Sequence, residues 1–204
     1  YQNPTRAKRL YFDVIPKMTD DYLRLRKDFE QTPKNEKIQS PIWFLNNDLK
    51  FNSLENFSFN MILNLASVCN AESSEILWGF VDSYYNGLEK EKYPYIEQLL
   101  NYGVEYYKEF VLPNKQFRSP NEIERNGFRK IIEVLKNIDQ NCEPEDIQTE
   151  IYKIGMELDF QNLKDWFSAF YQVILGQEQG PRLGSFIKFY GINKTVDLLE
   201  EKIN

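Results

Sequence analysis

The stretch Gly180-Pro181-Arg182-Leu183-Gly184-Ser185-Phe186-Ile187-Lys188-Phe189-Tyr190-Gly191 places one guanidinium at the start of a short helix. It follows an aromatic run (Trp166, Phe167, Phe170, Tyr171) that ends at Ile174-Leu175-Gly176. Glycine enters the left-handed conformation without a Cβ clash, so Gly176 closes the first helix, and Pro181 presets a first helical turn. A helix start offers free backbone N–H groups, which suit an anion or a base carbonyl, with Arg182 and Lys188 as the nearby cations. The same residues also suit a structural turn whose arginine ties down a neighbouring carbonyl.

A second constellation is Pro113-Asn114-Lys115-Gln116-Phe117-Arg118, a ring between cations on a loop. Cations that meet phosphates and flat rings that stack unpaired bases are the two ingredients of single-stranded RNA recognition. The bland alternative is a connector whose Phe117 tucks inward as a staple against the next helix. Arg125 and Arg129, one helical turn apart, either track phosphates or pair with Glu122 and Glu133. Four aromatics as close as Trp166, Phe167, Phe170 and Tyr171 belong mostly to a core, with at most one at a rim.

Catalysis by the chain itself finds little support. There is no histidine, which removes Ser-His-Asp and Cys-His chemistry and the usual proton shuttle near neutral pH. Cys69 and Cys142 have no Cys-x-x-Cys partner and read as small core residues, reduced, with no structural zinc. Gly-rich phosphate loops and Gly-x-Ser-x-Gly elbows are missing. Carboxylates such as Glu97, Glu124 and Glu133 lie off the apolar stripes and read as solvated surface charges.

The elements that must position these groups are all helical. Residues 1–15 read as an irregular basic arm. Pro16 opens a helix through about Phe29, with Met18, Tyr22, Leu25 and Phe29 at three- and four-residue steps. Thr32 to Pro41 is a polar linker, and Ile42-Trp43-Phe44-Leu45 reads as an extended piece laid against the core. Ser58 caps a helix that Asn70 ends. The next runs from about Ser73 to Tyr85 with Ile76, Leu77, Phe80, Val81 and Tyr84 inward, and Asn86-Gly87 stops it. The period is clearest over Pro94–Val111: Ile96, Leu99, Leu100, Gly103, Val104, Tyr107 and Phe110. Gly103 costs about 1 kcal/mol of helix propensity relative to alanine, a cost that close approach of another helix would offset. Ser119-Pro120-Asn121-Glu122 places a serine cap, a first-turn proline and a glutamate that reaches back. That helix runs to about Ile138, with Phe128, Ile131, Leu135 and Ile138 on one side. Pro144 opens another, with Ile147, Ile151, Ile154 and Leu158 inward. Asn162 caps the aromatic helix, and Val196, Leu199 and Ile203 mark the last. The expectation is an all-α bundle of linked helical hairpins.

With 204 residues and a net charge of −6, the chain is long enough for one domain or two small ones, and too acidic for a nonspecific nucleic-acid binder. Basic residues still gather locally, at Arg6, Lys8, Arg9 and Lys17 and again at Lys115, Arg118, Arg125, Arg129 and Lys130. No apolar run is long enough to cross a bilayer. The chain starts at Tyr1 without methionine, which reads as a piece cut from a longer protein.

The Gly180–Gly191 run with its aromatic lead-in resembles the carboxy-terminal end of class I lysyl-tRNA synthetases. The amino end is similar to the segment that follows their catalytic core, through Asn3-Pro4, Ala7-Lys8-Arg9-Leu10-Tyr11-Phe12-Asp13-Val14-Ile15-Pro16 and Asp21-Tyr22. Ser58-Phe59, Leu63-Asn64-Leu65-Ala66 and Trp78-Gly79-Phe80 extend the match through the middle. The resemblance implies a junction arm and helix over 1–50 and, over 51–204, a helical-cage anticodon-binding domain like that of glutamyl-tRNA synthetases. It implies a lysine tRNA as partner, bound through its anticodon loop and stem by Arg182, Lys188, Lys115, Phe117, Arg118, Arg125 and Arg129. Arg6, Lys8 and Arg9 would meet the tRNA backbone or form an interdomain contact. The His-Ile-Gly-His and Lys-Met-Ser-Lys-Ser type motifs are absent, so this piece is expected to have no activity alone. ATP and lysine would be used by a catalytic domain in cis, in a cytoplasmic and monomeric ligase without membrane contact. The alternative is an all-helical protein-interaction or scaffold module.

Overall fold

The computed structural model describes residues 11–45, 54–55, 57–158, 160 and 162–203. Among them there is no strand, and the helices are α1 (Ile15–Gln31), α2 (Phe59–Cys69), α3 (Ser74–Tyr84), α4 (Pro94–Tyr106), α5 (Glu122–Asn137), α6 (Pro144–Glu157), α7 (Leu163–Ile174), α8 (Leu183–Tyr190) and α9 (Ile192–Ile203). The expected all-α bundle is what the chain forms. Arg6, Lys8 and Arg9, and the division at residue 50, lie outside the described residues.

Local chemistry sets the helix ends. Ser58 Oγ accepts from the Met61 N–H at 3.0 Å, and Asn70 takes the left-handed conformation at φ 45°. Asn162 Oδ1 accepts from the Asp165 N–H at 3.0 Å. Each cap satisfies a backbone donor or acceptor that the helix leaves over. The start of α2 has a second anchor from far away in the chain. The Asp20 carboxylate of α1 accepts from the Phe59 and Asn60 N–H groups and from the Asn60 side chain. An anion at the positive end of α2 pins α1 across it.

Helices α2, α3 and α4 pack together, α1 lies on α2, and α5, α6, α7, α8 and α9 form the other half. One apolar core joins the halves, through residues such as Ile62, Leu100, Phe128, Trp166, Phe170 and Phe186. Trp166 and Phe170 are wholly inside, and the indole N–H of Trp166 donates to Ile151 O at 3.2 Å. Phe167 and Tyr171 are half-buried against the same core. Gly103 is where α2 crosses α4, since a Cβ there would collide with Ile62.

Several expectations needed correction. The α5 cap is Asn121, not Ser119, because Glu124 and not Glu122 returns its carboxylate to the cap N–H. Glu124 is buried, contrary to its reading as a solvated charge. Ile42-Trp43-Phe44 forms a 3-10 turn instead of an extended piece, and only Ile42 is buried. Ile76 and Phe110 are exposed, although the periodicity placed both inward. The α4 α-helix stops at Tyr106 and continues as a π turn over Tyr107–Val111, then a 3-10 turn over Leu112–Asn114. The wider π turn shifts the side-chain phase, which brings Phe110 outward. On α1 the packed face is Ile15, Tyr22 and Leu23, while Met18 and Leu25 are exposed.

Candidate nucleic-acid interface

The π turn after α4 and the loop after α7 face each other across a cleft of about 680 Å³. Phe110, Val111 and Asn114 come from one side, Gln172, Gln177 and Glu178 from the other, and Gln116, Phe117 and Arg118 from the loop between α4 and α5. A backbone clip holds the two walls: the Gln116 N–H donates to Gly176 O at 2.9 Å. Gly176 has φ +68°, as its chain-closing role required, and any Cβ there would crowd the Gln116 backbone. Ser67 of α2 donates to Leu175 O at 3.2 Å and accepts from Gln177 Nε2 at 3.3 Å. The wall after α7 is thereby tied to α2.

Arg118 is the fixed cation of this cleft. Its guanidinium meets both oxygens of Glu124 at 2.7 Å and also donates to Gln172 Oε1. Burial alone would raise the Glu124 carboxyl. The Arg118 bonds and the Asn121 N–H outweigh it and hold Glu124 below the usual carboxylate range. The Glu124 bonds in turn raise the Arg118 guanidinium.

Lys115 points the other way. Its ammonium donates to Ser67 O at 2.7 Å and Asn70 Oδ1 at 3.2 Å, capping the negative end of α2. It also stands 4.7 Å from the Phe117 ring centre, and Lys202 of α9 stands 5.4 Å from the same ring. Burial, with Lys202 as the smaller cause, lowers the Lys115 amine to about 8. Phe117 is half-exposed, so it is not the inward staple that its loop position allowed.

The remaining cations are elsewhere or otherwise occupied. Arg125 donates to Pro120 O and to Ile203 O at 2.7 Å, fastening α9 to α5. Arg129 is exposed and lines a separate hollow with Ile132, Glu200 and Ile203. Arg182 sits at the N-cap of α8 and pairs with Glu145 of α6 at 3.1 Å, both exposed. Such a pair is worth about 0–1 kcal/mol. Lys188 donates to Gln140 O at 2.8 Å, holding the loop between α5 and α6. Thus Phe117 and Arg118 line one cleft with Lys115 beside it, and Arg182, Lys188, Arg125 and Arg129 do not line it.

Sequence reading missed the amides. Asn114, Gln116, Gln172 and Gln177 give the cleft four side chains that both donate and accept. Only the fold brings them together, and no spacing in the chain announces it. Charges around the cleft nearly balance: Lys202 has Glu201 at 3.6 Å, Arg118 has Glu124, and Glu178 lies at the rim. Chemically, a near-neutral cleft with aromatic and amide walls can stack flat rings and hydrogen-bond to polar edges, and has little free charge with which to grip phosphates.

No protein-family model matches the chain. Individual proteins do. Over 206 aligned positions, covering the whole chain, it is 39% identical to a Rickettsia bellii protein named lysine–tRNA ligase. The proteins of that name from Rickettsia felis and Rickettsia peacockii are 38% and 37% identical over the same extent. The chain spans 39% of the length of each. The expected relationship to lysine–tRNA ligases is borne out, for a part of such proteins.

Proposed function

We propose that this chain is the tRNA-reading part of a class I lysine–tRNA ligase, carboxy-terminal to a catalytic domain that consumes ATP and lysine. The observation that carries the reading is the cleft between the π turn and the α7–α8 loop. There Phe117 supplies a half-exposed ring, Asn114, Gln116, Gln172 and Gln177 line the walls with amide groups, and Arg118 is held rigid by Glu124. Similarity along the whole chain to proteins named lysine–tRNA ligase supports a lysine tRNA as the ligand. Unpaired anticodon bases are the part of a tRNA that such a cleft fits, since they are free to leave the stack. The chain then works in the cytoplasm, as one copy per tRNA.

Catalysis stays with the rest of the ligase. No histidine is present, and no group of carboxylates or cysteines is placed for a metal among the described residues. The helical scaffold acts by selection: it binds the correct tRNA and so raises its concentration at the distant reaction centre.

A fluorescence titration tests the reading. The chain should bind lysine tRNA more tightly than an anticodon-changed version, and Phe117→Ala should weaken binding by about 1–3 kcal/mol, the value of one stacked base. Equal binding of both tRNAs sinks the anticodon assignment. A protein-interaction role is favoured by a different observation, the exposed apolar side chains of residues 11–45. Salt-insensitive binding to a protein with no RNA recovered would support that role in place of tRNA reading.

A further inference from the structure

Of the α1 stripe that sequence periodicity assigned to the core, Tyr22 packs on it, whereas Met18 and Leu25 are left uncovered. Met18 and Leu25, seven residues apart and therefore on one line of the helix, are 56% and 41% exposed. None of the 17 residues of α1 is fully buried. Past the helix, the Lys37 ammonium stands 4.6 Å from the Phe29 ring centre, and the next residue, Ile38, is exposed. The 3-10 turn that follows packs on α1 and leaves Trp43 and Phe44 exposed at 50% and 72%. Beside the other end of α1 is a groove of about 300 Å³ lined almost wholly by apolar groups, including Ile15, Phe59, Leu99 and Phe110.

A surface of this kind is uncommon on a protein that works unaccompanied. We infer that it is the face on which this part docks against the remainder of its own longer chain. Three observations favour that occupant. The chain spans only 39% of the length of the lysine–tRNA ligases it matches, so most of such a protein remains to be accommodated. The exposed apolar side chains of α1 and the turn after it lie at the opposite end of the sequence from α9, whose last turn Arg125 fastens down. The face is also mixed: Lys17, Asp21, Arg24, Lys27 and Asp28 put both signs of charge beside its apolar members, and Arg24 pairs with Asp21 at 3.1 Å. Contacts between domains of one chain are mixed in this way, whereas obligate dimer interfaces are more apolar. Mixed signs also fit a membrane surface poorly, because anionic lipid calls for a basic face.

The inference rests on the reading of this chain as part of a ligase, but its test is separable. Amide exchange is measured on the longer protein and on this chain alone. Exchange in α1 and residues 37–44 should be at least tenfold slower in the longer protein, while the core of α5 to α9 is unchanged. Trp43→Glu with Phe44→Glu should restore the faster rate in the longer protein without shifting the melting temperature of this chain. Equal exchange in the two proteins overturns the inference. So does a dimer of this chain alone that protects α1, which would make a second copy the occupant. A longer protein that protects α1 yet fails to bind lysine tRNA would remove the functional reading and leave the docking face standing.

Discussion

Lys115 shows what one side chain can be asked to do. Its ammonium closes the carboxyl end of α2, lies over Phe117 and feels Lys202. Burial holds it at about 8 in the fold, against an ordinary value of 10.5. Between those values the unfolded chain binds more protons than the folded one, so stability from this group rises with pH and is absent below about 8. Buried Tyr85 and Cys69 act in the opposite sense above their ordinary values of 10.0 and 9.0, because the fold resists their ionisation. The clean window is therefore pH 8 to 9. Urea unfolding there should show wild type gaining at most about 1 kcal/mol relative to Lys115→Gln, and parallel curves would show that the amine is not held down. Glu124 makes the complementary point about legibility. Its position off the apolar stripe read as surface. The pairing with Arg118 that buries it depends on the loop from 115 to 121 turning back over α5, which periodicity does not encode.

At the scale of elements, signals a few residues wide were readable and signals across the chain were not. Ser58, Asn70, Asn162 and Gly176 end their helices as composition dictates, because a cap is chemistry between near neighbours. Asp20 anchors α2 from 39 residues away, and no local pattern reveals that. The π turn over Tyr107–Val111 was equally hidden, since its sequence continues an unbroken helical period. Gly103 was read correctly as a close approach. Gly103→Ala would force a methyl group into Ile62, and should cost about 1–3 kcal/mol through overpacking despite the better helix propensity of alanine. Chemical denaturation measures it. Restoring part of that loss with Ile62→Leu, which lacks the colliding Cγ2 methyl, would show that the clash, and not the α4 backbone, is responsible; no restoration would count against it.

For the whole molecule, the net charge of −6 and the balanced charges around the cleft set how the proposed RNA binding would depend on conditions. Affinity that rests on stacked rings and amides releases few counterions. The logarithm of the binding constant should fall with the logarithm of salt at a slope of about −0.7 to −1.4, one or two phosphates neutralised on a single strand. A slope steeper than about −3 would mean that a phosphate-gripping surface outside the cleft carries the affinity. The bundle architecture and most helix ends were legible because helical periods and caps repeat along the chain. The cleft was legible only in part. Phe117 and Arg118 announced themselves as a ring beside a cation, whereas its far wall, from Gln172 to Glu178, looked like an ordinary turn.

The clip between Gln116 and Gly176 has a consequence for the ribosome-bound nascent chain. The two edges it fastens are made at different times during synthesis, the second after most of the polypeptide has emerged. Until that later segment is out of the exit tunnel, the earlier one has no opposing surface and the cleft does not exist. On the proposed tRNA-reading role, half-made copies would therefore not sequester the adaptor molecules that their own translation consumes.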